Sequence, residues 1–97
     1  MLPPERIDGA QVVAYAVLDH ECRSTGRCVH RHGEKRLGPF AALAIATYDG
    51  EGCYYLLYCD QNWTCVADTY HDSVEGTMRQ AESEYKGVAG KWTKPPW

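Results

Sequence analysis

The sequence predicts an α+β fold, a four-stranded antiparallel sheet with one C-terminal helix packed on one face. Three observations carry that prediction. Residues 53–59 (CYYLLYC) are almost entirely aromatic or branched and form the strongest strand signal in the chain. Asp49-Gly50-Glu51-Gly52 before them and Asp60-Gln61-Asn62 after them are turn sequences, so the segment has neighbours on both sides. Val74, Met78, Ala81 and Tyr85 then recur at helical spacing as a single apolar stripe.

Taken in order, residues 1–10 hold Pro3, Pro4 and Gly9 and read as an irregular arm. Residues 11–18 (QVVAYAVL) carry apolar side chains on both alternating faces, as a central strand does. Residues 40–48 (FAALAIATY) alternate between one face of Phe40, Ala42, Ala44, Ala46 and Tyr48 and another of Ala41, Leu43, Ile45 and Thr47. The turn that follows makes them half of a hairpin rather than a helix. The first of these faces is nearly all alanine, so another group can approach it closely.

Residues 63–70 (WTCVADTY) form the fourth strand. Their register is open: a two-residue turn at Gln61-Asn62 sets Cys59 against Thr64, whereas a three-residue loop sets Cys59 against Cys65 and makes a disulfide feasible. Asp72 and Ser73 both offer an N-cap, and Asp72 with Glu75 approximates a capping box. Glu75 with Arg79 and Glu82 with Lys86 are i,i+4 pairs on the wet side, and Gly87 closes a helix of about fourteen residues. The tail 88–97 is expected to be extended, with Trp92 folded back. Such a helix covers one face only. The other face calls for the terminal arms or a second copy of the chain, and a homodimer is the expectation.

Ninety-seven residues make one small domain, and 44% hydrophobic against 24% charged residues is a globular composition. The N-terminus MLPPERIDG lacks the plan of a secretory signal, and the longest apolar run, 40–46, is far too short to cross a bilayer. A cytoplasmic protein with no membrane partner is expected. Five cysteines without such a signal argue against an obligate disulfide framework.

The net charge is -3, yet residues 20–37 alone carry +3, leaving the remainder strongly acidic. This basic segment belongs to a long loop, 19–39, with room for a short hairpin of its own. His20, Cys22, Cys28, His30 and His32 supply zinc-type ligands there, although the spacing contains no finger-like Cys or His pair. No cofactor is expected, and zinc is the one metal this cluster would suit. Arg23, Arg27, Arg31 and Arg36, with Lys35, can also be read as a site for an anion or acidic partner. Nucleic acid is disfavoured because the loop has no aromatic residues for base stacking.

Two further groups stand out. Cys59 with Asp60, and Asp68 with His71, contain the residue types of a thiol nucleophile, but spacing alone does not bring them together. Tyr54, Tyr55, Tyr58, Trp63 and Tyr70 form an aromatic set larger than one small core needs, which marks an interface, with Tyr54, Tyr58 and Trp63 as its candidate binding residues. In alternation Tyr54 and Tyr58 share one face and Tyr55 takes the other. A complete catalytic signature is lacking. The expected function is a non-enzymatic protein-interaction module of the immunity or antitoxin type. The alternative is a small metal-dependent or thiol enzyme with its site in loop 20–37.

The elements Tyr54–Asp60 with Trp63, Asp68–Ser73 and Gln80–Tyr85 resemble a group of small bacterial proteins of unknown function that share Y-Y-L-x-Y-C-D-x-x-W, D-T-x-H-x-S and Q-A-E-x-E-Y. That resemblance spans about a third of the chain and implies no activity. Thr69–Ala81 is similar to HicB-like antitoxins, where a sheet leads through a capped start into a Glu- and Ala-rich helix. This implies fold analogy only.

Overall fold

The computed structural model of the protein describes residues 2–25, 31–32, 35–36 and 38–97, the two short pairs by backbone alone. The main sheet is antiparallel and has five strands, in the order β1 (Arg6–Ile7), β2 (Ala10–Val17), β6 (Ala42–Thr47), β7 (Tyr54–Cys59) and β8 (Cys65–His71). The fifth, β1, lies in the N-terminal arm expected to be irregular: Asp8 and Gly9 adopt positive φ and turn the arm back onto the edge of β2. Four strands therefore becomes five. Between β2 and β6, β3 (Arg23–Ser24) pairs with β9 (Tyr85–Lys86), and β4 (Arg31–His32) pairs with β5 (Lys35–Arg36) as the small hairpin the long loop had room for.

β6 lies at the centre of the sheet, and its alternation sorts the core into two layers. Leu43 and Ile45 join Ala14, Ala16, Leu56, Tyr58, Ala81 and Val88 beneath helix α1 (Val74–Glu84). Ala42, Ala44 and Ala46 face the other way, with Val12, Leu57, Cys59 and Trp63. A register shift between Val12 and Ala14 reverses the parity of β2, so Val12 and Ala14 fall in different layers. A second irregularity at the start of β8 pairs Cys59 with Cys65 and leaves Val66 outside the ladder.

The alanine layer is closed from within the chain. Ile7 and Trp63 are buried in it, and Trp63 meets the ring of Tyr15 edge-on at 5.9 Å. Trp63 reaches this place through a turn that Asp60 pins. The Asp60 carboxylate accepts from the backbone N–H groups of Asn62 (2.8 Å) and Thr64 (3.0 Å), and its carbonyl accepts from Trp63. These bonds hold Trp63 at φ 62°, a conformation rare for a bulky residue and stable only when its surroundings over-determine it. At the far edge Trp97 donates its indole N–H to Val12 O, and Thr93 exchanges two backbone bonds with Tyr15. Covering this layer thus requires no second copy. Trp92 does fold back, but under the helix side.

Ser73, not Asp72, is the N-cap, accepting from the Gly76 N–H at 3.0 Å. The helix ends at Glu84, earlier than the stripe implied, and Tyr85 and Lys86 continue as β9. Ala81 is fully buried as expected, while Thr77 and Glu84 are buried polar residues that the stripe did not include. Thr77 returns its hydroxyl to Ser73 O, and Glu84 accepts from the Tyr58 hydroxyl. Glu82 turns to the backbone, its carboxylate accepting from the N–H groups of Gly87 (3.1 Å) and Ala89 (3.0 Å). Gly87 is required twice over: its φ is 98°, and a Cβ there would lie 2.6 Å from Glu21 O.

Ala44 sits between Tyr15 on β2 and Leu57 on β7 beneath Trp63. Ala44→Leu is expected to overpack this layer and cost about 1–3 kcal/mol. In a domain of this size each kcal/mol lowers Tm by about 4–8 °C. Thermal denaturation of the variant measures it, and an unchanged Tm would show that the layer is loosely packed.

Candidate interaction surface

The exposed aromatic surface lies on the alanine side of the sheet, at the end where β6 turns into β7. Thr47 holds that turn with a hydroxyl bond to Cys53 O at 2.7 Å, and Gly50 takes positive φ inside it. Register then puts Tyr55 opposite Tyr70 on β8, with Tyr48 just beyond the end of β6. The three rings form a ladder: Tyr48 to Tyr55 is 5.5 Å at 82°, and Tyr55 to Tyr70 is 5.7 Å at 76°. Both contacts are edge-to-face, the geometry aromatic quadrupoles favour. The outer rings remain accessible, Tyr48 at 36% and Tyr70 at 59%.

Polar groups anchor this ledge. The Tyr48 hydroxyl donates to Asp8 O at 3.1 Å, and Arg6 bridges Asp49 at 3.3 Å beside it. The buried Cys53 thiol donates to Glu51 Oε2 at 3.2 Å and interacts with the hydroxyls of Tyr70 and Tyr55. The Glu51 carboxylate, and burial after it, raise the Cys53 thiol above its ordinary value. Tyr70 is raised first by Cys53, with Asp72 and Glu51 adding to the effect, and Tyr55 first by burial. At neutral pH the thiol and both phenols stay protonated, ringed by the carboxylates of Glu51 and Asp72.

The aromatic residues singled out by sequence as binding candidates occupy other positions. Tyr58 is fully buried with its hydroxyl on Glu84, and Trp63 is buried over the alanines, so both are core side chains. Tyr54 is half-buried on the helix side. Tyr70 belonged to the same aromatic set and is its most exposed member, whereas Tyr48 was missed as a surface residue because only the pairing shows that it flanks Tyr55 outside the core.

In the basic segment Arg23 is exposed and sits across from Lys86. Backbone register sets Arg31 opposite Arg36 and His32 opposite Lys35. Arg27, Cys28 and His30 lie outside the described residues, as do the side chains of His32, Arg31 and Arg36. His20 and Cys22 are described, and among the described residues no three His, Cys, Asp or Glu side chains gather as metal ligands would.

The thiol-enzyme arrangement does not assemble at the β7–β8 hairpin. Cys59 lies in the alanine layer and Asp68 shares that side, pairing with Leu57, whereas His71 pairs with Tyr54 on the helix side. Burial pushes the Cys59 thiol up to about 12 and Cys65 to about 11, the reverse of what a nucleophile needs. Cys59 and Cys65 do face each other in the ladder, and both are free thiols.

An open groove of about 490 Å³ runs from the end of β8 along α1, lined by His71, Ser73, Arg79, Gln80 and Ser83 among others. His71 Nε2 shares a hydrogen bond with Thr69 Oγ1 at 2.7 Å. Burial lowers the imidazole below its ordinary value, with Glu84 and Asp72 pulling it partly back.

Comparison with protein-family models, curated proteins and solved structures finds no match to this chain. None of the helices is long and apolar enough to cross a membrane among the described residues.

Two outcomes follow. At neutral pH Cys59 and Cys65 should resist alkylation by iodoacetamide in the native state and react once the protein is unfolded. Mass-spectrometric counting of labelled cysteines checks this, and rapid native labelling of either would contradict the burial. His71 prefers its neutral form in the folded state, so its contribution to stability is full above about pH 6.5 and is lost as pH falls toward the lowered native value. Denaturant titrations should show His71→Gln flattening the pH dependence below about pH 6.5.

Proposed function

We propose that this protein is a non-enzymatic protein-interaction module, of the immunity or antitoxin-type inhibitor kind, that meets its partner through the Tyr48–Tyr55–Tyr70 ledge. The observation that carries this reading is the ladder itself: three stacked tyrosines at the margin of the sheet, two with much of their ring surface in solvent. Tyrosine combines large apolar area with few rotatable bonds and a polar tip, which is why it is enriched at recognition surfaces. The Tyr48 tip is already bonded within the chain, so its ring surface is what remains for a partner. β8 is the last strand of its sheet, and the ledge opens onto that edge.

A thiol nucleophile at the hairpin loses support, because the thiols there are driven toward inertness and the histidine faces away from them, while the alternative site in loop 20–37 lies largely outside the described residues. The basic segment is a second contact region on the same reading, rooted at the opposite end of α1 through the β3–β9 pair.

Incorporating a photo-crosslinking phenylalanine analogue in place of Tyr70 tests the proposal in cells of the native host. A discrete protein adduct is expected from position 70 and not from the exposed helix position Glu75. Equal adducts from both positions, or none from 70, would sink the reading.

A further inference from the structure

We infer that the tyrosine ledge is a cation site, which takes an arginine or lysine side chain from a basic partner protein. This rests on the interaction-module reading and adds the chemistry of the partner. Two features of the ledge coincide. Tyrosine rings attract cations to their faces, an effect worth more as water is excluded. The Tyr48–Tyr55–Tyr70 ladder turns each ring nearly perpendicular to the next, so a cation placed beside one ring is flanked by another.

Carboxylates lie on the same margin as those rings. Glu51 bonds the Cys53 thiol beneath Tyr70 and Tyr55, and Glu51 and Asp72 both act on the Tyr70 hydroxyl. Neither carboxylate is in an ion pair among the described residues, where Asp49, Asp19 and Glu21 are the carboxylates that pair with a cation. Asp68 adds an exposed carboxylate to the same side two residues before Tyr70. The chain already places one guanidinium at the border of this surface: Arg6 spans Gly9 O and Asp49 next to Tyr48. An incoming guanidinium would find the same donor–acceptor match at Glu51, with ring surface in place of the backbone.

The ledge is also set before the partner arrives. Tyr48 is tied to Asp8, and Tyr55 is held between its two neighbours, so little rotamer freedom is lost on binding. The side chain need cross no other element, because β8 ends the sheet.

The test uses the full chain, isotope-labelled, titrated with acetyl-Gly-Arg-Gly-amide and followed by NMR. Saturable shifts are expected at Tyr48, Glu51, Tyr55 and Tyr70, weakened by salt, and absent with the same tripeptide carrying glutamine in place of arginine. Tyr70→Leu and Glu51→Gln should each weaken binding about two- to fivefold, while Tyr70→Phe, which keeps the ring, should not. Folding of every variant is checked by its unchanged core resonances. Shifts that also reach Glu75, an equal response to the glutamine tripeptide, or indifference to Tyr70→Leu would overturn the inference. Concentration-dependent shifts at the ledge without any tripeptide would assign it to a second copy, and would overturn it too. A protein adduct at position 70 together with no arginine response removes the basic-partner inference and leaves the interaction reading standing. Absence of any adduct removes that reading whatever the tripeptide does.

Discussion

The alternation of small and branched side chains on β6 sets the thickness of both layers of this protein. Every residue of the strand but the last is buried, so each substitution there is felt on one side or the other. Leu43 and Ile45 fill the space beneath the helix. Ala42, Ala44 and Ala46 leave a shallow floor on which only flat groups fit closely, and the chain supplies Tyr15 and Trp63. With bulkier residues on that floor, the indole could not sit so near the sheet, and the Asp60 turn that carries it would have no reason to hold a strained backbone. The floor also ends the core early. Beyond Ala46, the strand delivers Tyr48 to the margin, where aromatic rings stack on one another rather than on the sheet.

A second constraint ties helix to sheet at the other end of α1. The Glu84 carboxylate, nearly without solvent contact, accepts from the buried Tyr58 hydroxyl, while its backbone carbonyl accepts from Thr25 N at 2.8 Å. Thr25 also donates its hydroxyl to Ser83 O at 2.6 Å. Removing one partner of such a buried polar pair leaves the other desolvated, which costs more than the bond itself contributes. The same corner is closed by Gly87 against Glu21 O and by Lys91, which reaches Glu21 at 3.1 Å and Asp19 at 3.5 Å. The root of the basic segment is therefore fastened to the C-terminal end of the helix. The ledge lies beyond its N-terminal end, about 16 Å away along an eleven-residue helix. The root of the basic segment and the aromatic ledge thus lie at opposite ends of α1.

Much of this was legible in the sequence, and the limits have physical causes. The long strands, the turns, the helix and its capping region follow from period, propensity and turn chemistry, which are local. So does the split of Tyr54 and Tyr58 from Tyr55. Which of those faces lies under the helix is not local, and that decides that Tyr58 is core and Tyr70 is surface. Irregularities in β2 and β8 change parity mid-strand, and nothing in Val13 or Val66 as residue types announces them. The positive φ of Trp63 follows from three hydrogen bonds to Asp60, and those depend on a loop length that the sequence left open. The two-residue β1 is too short to show a period. Glu82 as a backbone cap was hidden because an i,i+4 lysine offered it a simpler partner.

The choice of tyrosine at the ledge is itself informative. A margin that only needed covering could be closed with leucine or phenylalanine, and an exposed leucine would cost little. Tyr48 spends its hydroxyl inside the chain, on Asp8 O, and the hydroxyls of Tyr55 and Tyr70 interact with the Cys53 thiol. The Asp8 bond fixes the Tyr48 ring from below, and the edge-to-face contacts fix all three rings from the side. With Glu51 bonded to the Cys53 thiol beside it, the sign of charge this surface favours is positive, whereas the segment rooted at the other end of α1 is the basic one in the sequence.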